Sequence, residues 1–260
     1  MKPLMDVVFA SEKRMNILLL LHSGQKEMTT LIESLDTTRQ SLLPQLKILN
    51  EKHFIRRVDD SYELTTLGKL IVNRMLPLTN IATLLDCEWD FLGTHYLDFI
   101  PQTLLERIDE LGKCYVVETT LPELFDVNEE MIKQALESKF YYEIISFVHP
   151  NFKKVFSDLT GEGVDVSIII SRDLREKLIQ DKFEEFQALL ENSNIKIYLY
   201  PDNFEFVSFT LANHTILLRL LTQDGNYDNK QIIFANGNAH KWGEEFFEYY
   251  VARSERIREI

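Results

Sequence analysis

A run of hydrogen-bonding side chains stands near the N-terminus and consists of Thr37, Thr38, Arg39, Gln40 and Ser41. Hydroxyl, guanidinium and amide groups are the ones that contact base edges and phosphates in nucleic-acid complexes. Leu42, Leu46 and Leu49 follow at helical spacing and predict an amphipathic helix over residues 37–52, with the polar run at its amino end. Most surface helices are amphipathic, so the segments on either side decide how this helix is interpreted.

The flanking segments predict two more helices and a hairpin. Residues 6–22 and 27–35 have helical periodicity, and a short polar turn separates the second of these segments from the helix over residues 37–52. Residues 54–58 and 62–65 predict two strands joined by a tight acidic turn. Two helices joined by a short turn form a helix-turn-helix, and a hairpin directly after them is a wing.

This arrangement assigns the polar residues to a DNA interface, in which the amino end of the helix enters the major groove. The predicted contacts are Thr37, Thr38, Arg39, Gln40, Ser41, Lys47, Arg56 and Arg57. Gln40 and Ser41 are expected nearest the bases, whereas Arg39 is expected to point partly toward the core. Lys47 and the two wing arginines are expected on the phosphate backbone, with the minor groove as the alternative for the wing.

The net charge of −13 is distributed unevenly. Residues 1–76 hold 11 Lys and Arg against 9 Asp and Glu, a net +2, so the remaining 184 residues carry −15. An evenly spread negative charge would argue against nucleic-acid binding, because phosphate contacts supply most of the sequence-independent affinity. The observed distribution permits a weakly basic module joined to an acidic one.

Signatures of enzymes, metal sites and membrane proteins are missing from the sequence. It contains no GxGxxG, GxxxxGK, GxSxG or HExxH motif, so neither a cofactor nor a catalytic residue is predicted. Cys87 and Cys114 are too few for a disulfide framework and lack partners at zinc-ligand spacing, so no metal is predicted. The sequence has no apolar run of about 18 residues and no secretory signal, which predicts a soluble cytoplasmic protein.

The remainder of the chain alternates between strands and helices. Continuous apolar runs such as residues 164–170, followed by a helix over residues 172–192, imply a parallel sheet covered on both faces. A later hairpin, another strand and a closing helix over residues 239–256 add further elements to a mixed sheet. The predicted fold class is therefore α/β multidomain, with an N-terminal winged helix-turn-helix, a helical linker and a C-terminal α/β domain.

Domain boundaries are predicted at residues 1–76, 77–100 and 101–260. Pro77 is expected to interrupt the connecting segment, which would give helices over residues 66–76 and 78–91. The apolar stripe of this segment fits packing on the second domain and homodimer formation equally well. A homodimer would place two recognition helices on a two-fold DNA site.

A candidate ligand site follows from the α/β pattern, because ligands of open α/β sheets bind beyond the carboxyl ends of the strands. The polar residues predicted there are His149, Ser171, Arg172 and Asp202, with a further polar turn at residues 236–238. Arg172 and the start of its helix could together hold an anion. The alternative is that Ser171 only caps the helix and Arg172 is a solvated surface residue.

Two stretches of the chain resemble known domain families. The sequence MTTLIESLDTTRQSLLPQLKILNEKHFIRRVDDSYELTTLGK resembles winged helix-turn-helix domains of archaeal and bacterial regulators. The C-terminal order of elements is similar to the phospholipase D-like domain, whose active members carry a His and, two residues later, a Lys. Here His214 is followed by Thr215 and Ile216, so the resemblance does not imply hydrolase activity.

The segments RQSLLPQLKILNEKHFI, YYEIISFVHPNFKKVF, GVDVSIIISRDL and KWGEEFFEYY together resemble archaeal winged-helix transcriptional regulators of the methanogenesis-regulator type. The resemblance implies transcriptional control through double-stranded DNA. We therefore expect a non-enzymatic, sequence-specific regulator that acts as a homodimer, with a C-terminal domain that senses a small molecule or mediates assembly. The alternative is a ligand-binding or degenerate enzyme domain whose winged helix only contacts proteins.

Overall fold

The computed structural model describes residues 3–120, 128–235 and 238–259. The chain divides into two units, Met1–Thr79 and Asn80–Ile260. Two positions of the predicted polar turn at 236–238, residues 236 and 237, lie outside the described residues, as does the side chain of Cys87.

The first unit consists of helices and a three-stranded sheet. Its elements are α1 Leu4–Phe9, α2 Glu12–His22, β1 Lys26–Glu27, α3 Met28–Ser34, α4 Arg39–Glu51, β2 Ile55–Val58 and β3 Ser61–Leu64, and α5 Thr66–Cys87 crosses the unit boundary. The predicted single helix over residues 6–22 is wrong, because the Ser11 hydroxyl accepts a hydrogen bond from the Arg14 backbone N–H at 3.5 Å and starts a new helix. The sheet order is β1-β3-β2, and β1 was not predicted.

Helix α4 is anchored by the three leucines whose spacing predicted it. Leu42, Leu46 and Leu49 are at most 2% exposed and belong to one apolar cluster with residues of α2, α3, β2 and β3. Burying each leucine stabilises the fold by roughly 1.5–3 kcal/mol. The opposite side of α4 is left to solvent.

A close backbone contact joins the β2–β3 hairpin to α5. The Thr65 backbone N–H donates to the Phe54 carbonyl at 3.0 Å, and its hydroxyl accepts from the Gly68 N–H at 3.1 Å, so Thr65 caps α5. A Cβ atom at Gly68 would lie 2.0 Å from the Phe54 carbonyl oxygen. Only glycine allows this approach of helix and strand.

Helix α5 (Thr66–Cys87) is unbroken, so the predicted interruption at Pro77 is wrong. Pro77 lacks the N–H that would bond the Asn73 carbonyl, but both residues are exposed, so water can bond that carbonyl. The Thr79 hydroxyl donates to the Leu76 carbonyl at 2.9 Å, which satisfies another acceptor beside the proline. The helix therefore tolerates the proline.

The second unit combines a mixed sheet with helices. Its described elements are α6 Trp89–Thr94, α7 Gln102–Leu105, a 3₁₀ turn Ile108–Leu111, β4 Cys114–Glu118, α8 Glu129–Ser138, β5 Phe140–Ile145, α9 Phe152–Gly161, β6 Asp165–Ile170, α10 Arg172–Asp181, α11 Phe183–Leu190, β7 Ile195–Leu199, β8 Ser208–Ala212, β9 Thr215–Arg219, β10 Lys230–Ala235, α12 Ala239–Val251 and β11 Glu255–Ile257. The strand order is β11-β7-β6-β5-β8-β9-β10-β4. Strands β5, β6 and β7 pair in parallel and the other pairs are antiparallel, which confirms the mixed sheet.

Both faces of the sheet are covered. Ile169 of β6 packs in the cluster that contains Trp242 and Phe246 of α12, whereas its neighbours Ile168 and Ile170 pack on the opposite side with residues of α8, α9 and α11. This alternation follows from the two-residue period of a strand. Residues 166–170 are therefore buried on both sides of the sheet, as predicted, whereas Asp165 at the start of β6 is exposed.

Two predicted helices of this unit have different limits. The helix over residues 172–192 is divided at Lys182, whose φ of −142° and ψ of 34° are not helical. The closing helix ends at Val251, and β11 then pairs with β7 at the edge of the sheet. Short edge strands like β11 lack the long apolar alternation from which strands are predicted.

Candidate functional site

The amino end of α4 carries a capping hydroxyl and a lysine from α2. Thr38 accepts a hydrogen bond from the Ser41 backbone N–H at 3.4 Å, which fixes the start of the helix. The Lys13 ammonium donates to the Thr37 hydroxyl at 3.2 Å and to Ser41 Oγ. A cation at this position meets the positive end of the helix dipole, so a bound anion would relieve the repulsion. Sequence reasoning missed Lys13, because it is distant from α4 along the chain and stands in no motif.

The exposed face of α4 is formed by Arg39, Gln40, Leu43, Pro44 and Lys47. Arg39 is exposed, so the expectation that it points partly toward the core is wrong. The core side of this helix is filled by the leucines at residues 42, 46 and 49. Pro44 leaves the Gln40 carbonyl without its helical partner, at an exposed position where water can bond it. The face therefore combines polar groups with one large apolar side chain, Leu43, which is 44% exposed.

Both arginines of the β2–β3 hairpin face acidic groups. Arg56 forms an ion pair with Glu63, the residue opposite it in the hairpin register. The Arg57 Nη2 atom lies 2.9 Å from Asp60 Oδ1, and its Nε donates to the Asp59 carbonyl at 2.7 Å. Exposed pairs of this kind contribute about 0–1 kcal/mol. A phosphate can therefore compete for either guanidinium.

The four polar residues predicted at the carboxyl ends of the strands do not meet in one cavity of the described residues. Ser171 is 2% exposed and accepts a hydrogen bond from the Leu174 N–H at 3.3 Å, so it caps α10. Arg172 and Asp202 are exposed. His149 lines a cavity between the sheet and helices α8 and α9.

That cavity contains polar residues that sequence reasoning missed. Its volume is about 50 Å³, and Tyr141, Glu143, Thr210 and Arg219 line it beside His149. Burial raises the pKa of Glu143 to about 7, although the positive charge of Arg219 acts in the opposite direction. The residues belong to three different strands, so no local motif could have brought them to notice.

Within the described residues, no group of His, Cys, Asp and Glu side chains is arranged to hold a metal ion. Cys114 is a buried free thiol. None of the helices in the described part of the chain has the length and apolarity needed to cross a membrane.

Comparison with solved structures gives distant likenesses. The archaeal chromatin protein TrmBL2, whose structure is described as showing a novel mode of DNA binding, is 13% identical with a TM-score of 0.43, over 98% of this chain and 97% of that chain. Nuc, a phospholipase D family member from Salmonella typhimurium, is 18% identical with a TM-score of 0.38, over 56% of this chain and 100% of that chain. Likenesses this distant transfer no function.

Comparison by sequence is more informative. The methanogenesis regulatory protein FilR1 of Methanothrix harundinacea (strain 6Ac) is 27% identical over 258 residues, which are 97% of this chain and 58% of the relative. The chain thus spans little more than half of the length of that relative. The family model for the middle domain of methanogenesis regulatory protein FilR1 matches residues 124–253, and the model for its N-terminal domain matches residues 4–86. The two matches together take in most of both structural units, and the chain belongs to the FilR1 family of methanogenesis regulatory proteins.

Proposed function

We propose that this protein is a sequence-specific DNA-binding regulator of transcription whose first unit is a winged helix-turn-helix. The observation that carries the proposal is the exposed polar face at the amino end of α4, where Lys13 adds a positive charge. In this interpretation α4 is the recognition helix and the β2–β3 hairpin is the wing. Membership of a family of regulatory proteins supports it.

The residues of this face have separate roles in the proposal. Arg39 and Gln40 are exposed in the first turn of α4, and their guanidinium and amide groups suit guanine and adenine edges in the major groove. Lys13 and the hydroxyls of Thr37 and Ser41 hold a phosphate at the amino end of the helix. Thr38 caps the helix and so fixes its position. Lys47, two turns farther along α4, contacts the phosphate backbone of the DNA. Arg56 and Arg57 contact phosphates that replace their present acidic partners.

The exposed side of α5 supports assembly as a homodimer. Leu67, Leu70 and Leu78 are 52%, 62% and 54% exposed, and their spacing places them on one side of the helix. Exposed apolar residues that share one side of a helix favour contact with another protein, and the exposed Arg74 lies between Leu70 and Leu78 on this side. A second copy covering this face would bury these leucines and pair two recognition helices on a two-fold DNA site.

For the second unit we propose a non-catalytic, phospholipase D-like domain that senses a small molecule or mediates assembly. The support is the order of its elements together with the residues after His214, which lack the Lys of active members. His214 is exposed in the turn between β8 and β9. An exposed turn position offers no enclosed pocket for phosphoester chemistry.

A protein-contact module is the second candidate function for the first unit. Leu43 is 44% exposed on the same face of α4 as Gln40, and the wing arginines are paired with carboxylates. Apolar residues within an otherwise polar surface are typical of protein interfaces. In this candidate the second unit binds a ligand and the first unit binds no DNA.

Selection of bound duplexes from a random DNA pool separates these two candidates. The regulator proposal predicts enrichment of a two-fold symmetric sequence with half-sites about 10 base pairs apart, centre to centre, or a multiple of that spacing. Recovery of no preferred sequence would overturn the proposal and favour the protein-contact module.

The variant Lys13→Ala tests the phosphate contact on the selected sequence. We expect weaker binding, and a slope of log affinity against log salt that is smaller in magnitude by about 1, because one counterion fewer is released. Lys69→Ala removes an exposed charge from α5 and serves as the matched control, with binding like the parent. Titrations over salt concentration measure both variants, and an unchanged slope for Lys13→Ala would remove Lys13 from the interface.

A further inference from the structure

A row of polar side chains crosses the face of the sheet that α8 and α9 cover. Glu143 of β5 pairs in register with Thr210 of β8, and Ser208 of β8 pairs with Arg219 of β9. The surrounding layer is apolar and contains residues of both helices and several strands. Polar groups in such a layer destabilise the folded protein unless they are hydrogen-bonded, so the partners of this row decide whether it is structural or binds a ligand.

The protein itself satisfies the row only in part. The Tyr141 hydroxyl donates to Glu143 Oε1 across 3.4 Å and shares a hydrogen bond with the Thr210 hydroxyl. Arg219 Nη1 donates to Ser208 Oγ across 3.4 Å, and both 3.4 Å contacts are long for bonds to ionised groups. Within the described residues, no ion pair includes Arg219. Its guanidinium lies 6.0 Å from the centre of the Phe147 ring. Arg219 is half-buried and lines the cavity. Its guanidinium has five N–H donors, which is more than these contacts use.

The size and walls of the cavity restrict what can fill it. One water molecule needs roughly 10–15 Å³ of such volume, so about 50 Å³ corresponds to a molecule of only a few non-hydrogen atoms. The walls away from the polar row are apolar and include Met131, Ile145, Phe152, Phe156 and Leu217. A suitable occupant has an anionic group for Arg219 and a short alkyl end for these walls.

We propose that this cavity binds a small monocarboxylate, with the carboxylate on the Arg219 guanidinium and within reach of the Tyr141 and Thr210 hydroxyls. A guanidinium is matched in shape to a carboxylate and can donate two parallel hydrogen bonds to it. The alkyl end lies among the apolar walls, where burying each methylene is favourable. The proposal deepens the sensing role proposed for the second unit, and binding is measured without DNA, so either proposal can fail while the other stands.

The titratable and charged groups that line the cavity are Tyr141, Glu143 and Arg219 on the strands and His149 between β5 and α9. Of these, Glu143 couples ligand binding to pH in our proposal. A carboxylate ligand disfavours a second negative charge beside it, so it binds the form in which Glu143 is protonated and its O–H can donate to the ligand. With a Glu143 pKa of about 7, the free protein above that pH takes up a proton when the ligand binds. Affinity then falls roughly tenfold between pH 6 and pH 8.

Calorimetric titration of the full chain with formate, acetate, propionate and butyrate, at constant ionic strength, tests the proposal. We expect acetate and propionate to bind, with affinity roughly tenfold weaker at pH 8 than at pH 6. Butyrate is expected to bind more weakly because it exceeds the cavity, and the neutral analogue acetamide is expected not to bind. Absence of binding by all four acids at pH 6 would overturn the proposal.

Three variants locate the site. Arg219→Gln is expected to lose at least tenfold in affinity, and Glu143→Gln is expected to lose most of the difference in affinity between pH 6 and pH 8. Arg172→Gln is the matched control, because Arg172 is exposed and does not line the cavity, and it is expected to bind like the parent. Loss of binding in Arg172→Gln with binding retained in Arg219→Gln would overturn the proposal and place the anion at the start of α10.

Folding of the variants is checked separately. Thermal unfolding of each variant without ligand identifies one that does not fold. Thr210→Val removes one hydroxyl from the buried side of the cavity and keeps the shape of the side chain, so it is the second test if Arg219→Gln fails to fold. We expect it to weaken acetate binding at least threefold, and unchanged affinity in a folded Thr210→Val would contradict the assigned contact.

Discussion

Polar residues with similar sequence signals play different parts in this structure. Thr38 and Ser171 each start a helix by accepting a backbone hydrogen bond, so their hydroxyls are largely committed to capping. Lys13 and Arg219 belong to no motif. Lys13 has an unused N–H donor beside the exposed amino end of α4, and Arg219 has unused donors beside the cavity. The Ser171 cap was one of the two interpretations that the sequence offered, because capping depends on neighbouring residues. Sequence reasoning missed the two cations because their environments are assembled from distant strands and helices.

Glu143 supplies a prediction about stability. Its pKa is raised from 4.5 to about 7 by burial, so ionising it in the folded state costs free energy that the unfolded chain does not pay. The contribution of Glu143 to the free energy of unfolding is fully present below pH 4.5 and decreases as the pH rises to about 7. Above that pH the contribution stays constant. We expect Glu143→Gln to match the parent near pH 4.5 and to exceed its free energy of unfolding by about 3 kcal/mol at pH 8.

Urea unfolding at a series of pH values measures this difference. Glu130→Gln provides the control, because Glu130 is an exposed residue of α8 and its replacement should leave the pH dependence of the parent unchanged. A constant difference between Glu143→Gln and the parent from pH 4.5 to pH 8 would contradict a half-buried Glu143 carboxyl with a raised pKa.

At the scale of elements, the sequence predicted those helices and strands whose own periodicity is strong. The leucines of α4 and the apolar run of β6 are examples, because each carries a complete buried face within a few residues. The short strands β1 and β11 were missed, because two or three residues show no periodicity and depend on a partner strand. The predicted interruption at Pro77 was wrong because a proline breaks a helix only where the carbonyl four residues earlier, here that of Asn73, finds no other partner such as water.

Gly68 lets α5 approach the backbone of Phe54, the residue before β2. We expect Gly68→Ala to destabilise the first unit by at least about 2 kcal/mol, because its Cβ would meet the Phe54 carbonyl oxygen at 2.0 Å and backbone atoms cannot easily move aside. The measurement is thermal or urea unfolding followed by far-ultraviolet circular dichroism.

Gly93→Ala is the matched control for this substitution. No atom lies within 4 Å of a Cβ atom built at Gly93, which is part of α6, so alanine should be tolerated or slightly stabilising there. Equal stability of Gly68→Ala and Gly93→Ala would show that α5 does not approach the Phe54 carbonyl as closely as the structure describes.

For the whole molecule, the uneven charge restricts where nucleic acid can bind. Residues 1–76 have a net charge of +2, whereas the remainder has −15 and repels phosphates. A surface with so little excess positive charge would bind DNA only weakly as a single copy. Two copies on one duplex double the contacts without any stronger basic patch, and for this reason the proposed homodimer matters to the proposed function.

The double variant Leu67→Glu, Leu70→Glu tests that homodimer. Both side chains are more than half exposed on α5, so the charges should not disturb the core of the first unit, but they would repel each other across a two-fold interface. We expect sedimentation to give the monomer mass of 30.6 kDa for this variant and twice that mass for the parent. Leu43→Glu, on the exposed face of α4, is expected to remain dimeric and to lose DNA binding through repulsion of phosphates. If the parent itself sediments as a monomer, α5 does not form the interface and the two-fold DNA site loses its basis.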